Sequence, residues 1–462
     1  MSKSNVLKRQ YGLFTAICLV VGSVIGTGIF WVPGRVLYAA NGHLWVGVAA
    51  WLVGGLMVAT CVYMFSVMAR RYEMIHGMVD YAEALVGEKY GYLVGWFFCV
   101  MYQTAGYAII SWITASFTAT LAGHDNVLNS PFVFGVMAFY MIVVFLLNYC
   151  VPKLPMRFHV SSTVARVIPP ILMATVGVIA GFIFQEGAIT VQTTIPGFGE
   201  GQAAPTFLGA VFATAFAYNG WQAATAFNSE IKNSKKQFPV ALMIGFAIVI
   251  LIYVGYYIGV VLAGEPYELM QNNQLGTRAA FNRVFGSTVG SMMMIFVIIS
   301  GIGILNLCCM GMSRSLYALG RRGMGPVPEK TVVVDQKTGL PLNSMIICVV
   351  LSFLWAIVIY GNRHSWWGHL ADGRPFMFNL PDFYNAIFFT LLIPIFIGFL
   401  VHNYNNKEIH PFNRLIMPLI AAFGAGFMNY ALISDSWIHA LVYYATGVVL
   451  AVIGFLFFKR KV

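Results

Sequence analysis

Gly22-Ser-Val-Ile-Gly-Thr-Gly-Ile-Phe30 lies inside the first apolar stretch of the chain, which runs from Leu13 to Ala40. Gly22, Gly26 and Gly28, with Pro33 and Gly34 close behind, make a poor continuous helix. Gly22-x-x-x-Gly26 also fits the small-xxx-small pattern that lets two helices approach closely, so packing is one reading. The other is an unwound stretch. It would expose backbone N–H groups at the start of a second half-helix, aided by the positive end of its dipole, and carbonyls at the end of the first. N–H groups suit a carboxylate and carbonyls suit an ammonium, so one broken helix offers complementary ends to a zwitterion.

The rest of the chain has the composition of a bilayer protein. Of its 462 residues 59% are hydrophobic and 9% charged, against roughly 25% charged in soluble domains. Apolar runs fall near residues 13–40, 44–69, 91–121, 131–150, 158–184, 206–228, 238–263, 286–318, 343–361, 383–402, 414–433 and 436–458. A spanning helix needs about 20 residues. The pattern therefore predicts an all-α polytopic membrane protein with about twelve transmembrane helices in a single domain, residues 1–462. Met1–Gln10 is polar and basic like the start of a signal peptide, but the apolar stretch behind it is too long for a cleaved segment. Met78–Lys89 is short and mixed, and is expected along the membrane interface.

Charge sets an expected orientation. Of the 27 Lys and Arg residues, an inside N-terminus leaves only Arg35, Arg278, Arg283, Arg363 and Arg374 outside, with Arg166 within a span and the other 21 inside. That bias predicts cytoplasmic termini and explains the net charge of +11 without nucleic acid. A multi-pass protein of the cell (inner or plasma) membrane is expected. The cysteines, at 18, 61, 99, 150, 308, 309 and 348, sit in or beside apolar runs without a Cys-x-x-Cys. They read as small core residues, and neither a metal nor another cofactor is expected.

The sixth run carries a second interruption, Phe216-Ala-Tyr-Asn-Gly-Trp221 followed by Gln222. Paired breaks in two halves of a membrane chain are the sequence pointer to a transporter binding site. These two stretches resemble the amino acid–polyamine–organocation superfamily, specifically its L-amino acid transporter-like (alanine/serine/threonine-type) exchangers. The resemblance continues in His76–Gly87, in Ser229-Glu-Ile-Lys-Asn-Ser-Lys-Lys-Gln-Phe-Pro239 and in Ser313–Pro326.

The resemblance implies a five-plus-five inverted repeat (13–184 and 205–402) with broken helices 1 and 6, plus two extra helices at 412–458. It implies a substrate α-carboxylate on the backbone of Gly26, Thr27 and Gly28. The α-amino group would meet carbonyls near Ser23–Ile25 and Phe216–Ala217. Phe216 would gate the site from outside, and Asn219 and Gln222 would lie near the side-chain pocket. Several relatives have Gly or Asp where this chain has Asn219, so side-chain preference does not carry over.

Arg166 is the other singular residue, about 13 Å beyond Arg157 along a helix. Intramembrane charges mark function by default, although tying helices together is the structural alternative. In the family a lysine usually stands here, where sodium-coupled relatives of the fold bind an ion, and the resemblance gives it carbonyls near Gly22 and the Ser300 hydroxyl as neighbours. Lysine can lose its proton when desolvated; arginine in practice does not. A permanent cation argues against proton coupling here and removes the need for sodium.

The 16 acidic residues map to loops or span ends, with Glu230 and Asp382 the most membrane-proximal, so no buried carboxylate is expected. Neutral substrates are favoured over cationic ones. The reading is a sodium-independent antiporter of small or medium neutral L-amino acids working by alternating access. The alternative is exchange of a cationic amino acid for its amine; a channel or an enzyme lacks any supporting motif. The resemblance also bears on partners. Animal relatives use a cysteine between the third and fourth spans to bond a heavy subunit, and Ala122–Pro131 has none. No disulfide-linked heavy subunit is expected, leaving amino acid substrates and the lipid bilayer.

Overall fold

The computed structural model describes residues 12–71, 77–124, 127–151, 153–184, 205–224, 231–336, 338–369 and 376–458. Met1–Gln10, Glu230 and Arg374, which figure in the sequence reading, lie outside them. The regular elements are all helical among the described residues.

The chain begins with α1 (Leu13–Val24), which stops at the first glycine-rich stretch and resumes as α2 (Gly28–Trp31) and α3 (Pro33–Ala39). Pro33 is tolerated because it opens α3, where its missing N–H would have no helical partner. Next come α4 (Leu44–Arg71) and α5 (Met78–Leu85), which at 8 residues is too short to cross a bilayer. Then α6 (Glu88–Phe97) runs through a π-helical turn, Phe98–Tyr102, into α7 (Gln103–Leu121). It is followed by α8 (Pro131–Cys150), α9 (Lys153–Leu172) and α10 (Val178–Phe184). The second interrupted segment is α11 (Phe207–Tyr218) and α12 (Trp221–Ala224), followed by α13 (Ser234–Ala263) and α14 (Pro266–Gln271). The chain finishes with α15 (Asn273–Arg321), α16 (Pro328–Thr331), α17 (Leu342–Arg363), α18 (Leu380–Asn403), α19 (Met417–Asp435) and α20 (Trp437–Leu456).

Among the described residues, eleven helices are long and apolar enough to span a membrane. The twelfth expected segment is α11, only 12 residues long because Asn219 and Gly220 interrupt it. The 49 residues of α15 would reach about 74 Å if straight, more than twice a hydrocarbon core. The helix bends at Gly286, whose φ of 78° suits glycine, and this separates Asn273–Phe285 from the span behind it.

Two packed groups surround the interrupted segments. α13 lies against α4 and α1, and α11 against α4, α3 and α19; α15 lies against α7 and α9. The interior between α4, α11 and α13 is aromatic, with Trp51, Tyr218, Tyr253, Tyr256 and Tyr257 fully buried. Phe139 and Ile142 on α8, and Leu441, Val448 and Leu456 on α20, point outward, as lipid contact requires. Along α7 the hydroxyls of Thr104, Ser111, Thr114 and Thr118 donate to carbonyls one turn back, so no hydroxyl there faces hydrocarbon unpaired. All seven cysteines are free thiols.

One expectation about charge is corrected. Asp382 is only 6% exposed, so a carboxylate is buried after all. It opens α18 and receives a two-pronged bond from Arg35 on α3, at 2.8 and 2.5 Å. Lying 347 positions apart, the partners gave no local signal of pairing.

Candidate functional site: two facing helix breaks

Each break is local chemistry made visible. At the first, the α1 ladder ends with Ile25 N–H on the Val21 carbonyl at 2.9 Å, and Ile25 turns extended at ψ 107°. The next backbone bonds are those of Phe30 and Trp31 to the Thr27 carbonyl. The N–H groups of Gly26, Thr27 and Gly28 therefore have no backbone partner among the described residues. At the second, Asn219 is extended (ψ 162°) and Gly220 takes a φ of 109°, a conformation side chains avoid.

The breaks face each other at contact distance. A Cβ on Gly28 would stand 3.0 Å from Ala217 Cα and 3.4 Å from the Phe216 ring. One on Gly220 would collide with the Ser23 carbonyl oxygen, and one on Gly26 would lie 3.0 Å from Ile304 of α15. At Gly220 glycine is thus required for approach as well as for its φ, while at Gly26 and Gly28 an added Cβ would press on its neighbour. The Ser23 hydroxyl is occupied by its own helix, donating to Val20 O at 2.8 Å. Phe216 is 9% exposed, its ring between Gly28 and Tyr384 of α18, 6.3 Å between centroids.

Three residues that the sequence did not single out complete the arrangement. Tyr253 of α13 places its hydroxyl 3.0 Å from the Val24 carbonyl and 3.1 Å from that of Ala217. One O–H proton serves one acceptor at a time, so the tyrosine bridges the ends of both breaks. Each carbonyl oxygen retains a lone pair for a further donor. Tyr102, in the π-helical turn, donates to Asn219 Oδ1 at 2.9 Å and accepts from Gln222 Nε2. Asn219 Nδ2 donates to Asn385 of α18 at 2.5 Å, while Gly220 N–H reaches Asn219 Oδ1 and Gln222 Oε1. Asn219 and Gln222 therefore spend their amides on holding the break. One turn beyond Tyr102, Gly106 is buried yet has nothing within 4 Å of where a Cβ would sit.

Arg166 is fully buried, and its Nη1 donates to the Gly22 carbonyl at 2.9 Å. Nη2 donates to Ser162 of its own helix at 2.8 Å and lies against Gly303 of α15. The expected Ser300 contact is replaced: the Ser300 hydroxyl is buried without a hydrogen-bond partner among the described residues. Gly303, one helical turn further along the same face, supplies the close approach that a wide guanidinium needs.

Two interrupted helices meeting break to break, inside a bundle of apolar helices, define a membrane transporter rather than an enzyme. The chain belongs to the amino acid permease family, whose profile matches residues 11–457. The serine/threonine exchanger SteT of Bacillus subtilis (strain 168) is 26% identical over 392 residues, covering 85% of this chain and 84% of that one. The b(0,+)-type amino acid transporter 1 of Mus musculus is 23% identical, over 70% of this chain and 64% of its own. The large neutral amino acids transporter small subunit 2 of Oryctolagus cuniculus is also 23% identical, over 84% and 74%.

Proposed function

We propose that the protein is a sodium-independent antiporter of small or medium neutral L-amino acids in the cell membrane, with both termini cytoplasmic. The observation that carries this reading is the juxtaposition of the Gly26–Gly28 N–H groups, which have no backbone partner among the described residues, with the carbonyls of Val24 and Ala217 across the facing breaks. A substrate carboxylate would bind the first set and its ammonium the second, leaving the side chain to the space by Gly106. The bundle would be a five-plus-five inverted repeat with α19 and α20 appended, and its halves would rock about the breaks. Phe216 would close the site from outside.

Arg166 supports independence from sodium, because a fixed guanidinium on the Gly22 carbonyl supplies the positive charge that an ion would bring. Asp382 is committed to Arg35, which supports neutral over cationic substrates. The exchanger named among the relatives supports antiport. The surplus of Lys and Arg on one set of loops supports the orientation.

Purified protein in sodium-free proteoliposomes tests the reading, with a labelled amino acid outside and a panel of unlabelled ones inside. Uptake should require an internal neutral amino acid. Full-rate uptake into empty vesicles, or dependence on sodium, would overturn it; competition by arginine, ornithine or putrescine alone would favour a cationic exchanger.

A further inference from the structure

At the end of the molecule where α3 stops and α11 starts, each half-helix beside a break is fastened by one carboxylate. Arg35 of α3 forms a fork-to-fork pair with Asp382, in the first turn of α18, where the helix dipole favours an anion. Thr206, the N-cap of α11, accepts from Gly209 N–H at 2.9 Å and donates its own proton to Asp435 at 2.7 Å. A Cβ on Gly209 would collide with the same carboxylate oxygen, so α11 approaches Asp435 as closely as glycine allows. Asp435 ends α19, the helix terminus at which a negative charge is disfavoured. Helix preference does not account for it there; Thr206 and the Arg35 charge, which interacts with both carboxylates, do.

We infer that Asp382 and Asp435 are positioning residues for transport: they hold the outer halves of both broken helices closed, and both contacts release when the site opens outward. The inference rests on the transporter reading and its orientation for the word outward. It adds that closure is set by two separate carboxylates on α18 and α19, one per half-helix. Neither touches the breaks themselves. A further tie, Asn273, accepts from Gly34 N–H at 2.8 Å and donates to the Phe30 carbonyl, so losing one latch loosens α3 without unfolding it.

Two measurements test this on the full chain. In hydrogen–deuterium exchange of purified protein, Asp382→Asn should speed exchange of α3 peptides, and Asp435→Ala that of the first turn of α11. At least about fivefold is expected, because a charge-assisted bond is lost in each case. The charge swap Arg35→Asp with Asp382→Arg should return α3 towards its original rate. If Asp382→Asn misfolds, Arg35→Gln breaks the same pair from the other side. In proteoliposomes, either single variant should lower the external KM relative to the internal KM, since the outward state gains population.

Unchanged local exchange in well-folded variants would overturn the inference. So would faster exchange spread evenly over all helices, which would mark a general loss of stability. Failure of the unsubstituted protein to exchange any amino acid would instead overturn the transporter reading, and the exchange measurement would still decide the latches.

Discussion

A single hydroxyl joins the two breaks. Tyr253 lies between the Val24 and Ala217 carbonyls, and its ring is held by Trp51 and Tyr218 at centroid distances of 5.6 and 5.3 Å. Tyr253→Phe keeps that packing and removes only the bridge. A neutral hydrogen bond contributes about 0.5–1.5 kcal/mol, so the substrate KM should rise by up to about tenfold while the folded yield holds. An unchanged KM in a counterflow assay would separate Tyr253 from the site. Arg166 works by shape as well as charge. Lysine would place one ammonium where the fork reaches both Gly22 and Ser162. It can also shed its proton when buried. Arg166→Lys should therefore transport less and lose activity as pH rises, the charged form being the one that holds the carbonyl; a flat pH profile would count against the fixed-charge argument.

At the scale of elements, the breaks were visible in sequence because each is marked by glycine, and at the second break glycine alone meets two demands. Gly220 needs a φ of 109° and also lies on the Ser23 carbonyl. Gly220→Ala should thus abolish exchange. The partners of the breaks were not visible, for identifiable reasons. Tyr102 and Tyr253 are two among 23 tyrosines in a chain that is 15% aromatic, so neither stands out. Asn385 acts from α18, 166 positions beyond Asn219. Arg166 was visible as an intramembrane charge, but its contact on α15 was displaced by one turn, from Ser300 to Gly303, because sequence does not fix the rotation of one helix against another. Gly106 shows the same limit: its glycine is plain in the sequence, the empty space beside it is not. If that space receives the substrate side chain, Gly106→Val should reduce transport of larger amino acids severalfold more than that of alanine or glycine. Equal losses across a size series would place the side chain elsewhere.

For the molecule as a whole, the breaks give a physical reason why exchange should be faster than net transport. A closed intermediate would bury the N–H groups of Gly26, Thr27 and Gly28, which have no backbone partners of their own among the described residues. Leaving a buried donor unsatisfied costs about 1–3 kcal/mol. Three together cost at least about 3 kcal/mol, which corresponds to more than about a hundredfold in population. On the proposed reading a bound carboxylate would supply the missing acceptors, so the loaded carrier would cross the closed state without that cost and the empty one would not. Arg166, whose guanidinium lies on the Gly22 carbonyl, would sharpen the contrast on that reading, its charge opposing a cation such as sodium and favouring a carboxylate. Preloaded vesicles should consequently take up labelled amino acid about a hundredfold faster than empty ones, with or without sodium. The ratio should shrink when an internal analogue lacks the α-carboxylate, because such a molecule leaves the same donors unpaired. An amine that drives exchange as well as its parent amino acid would place the carboxylate away from the first break.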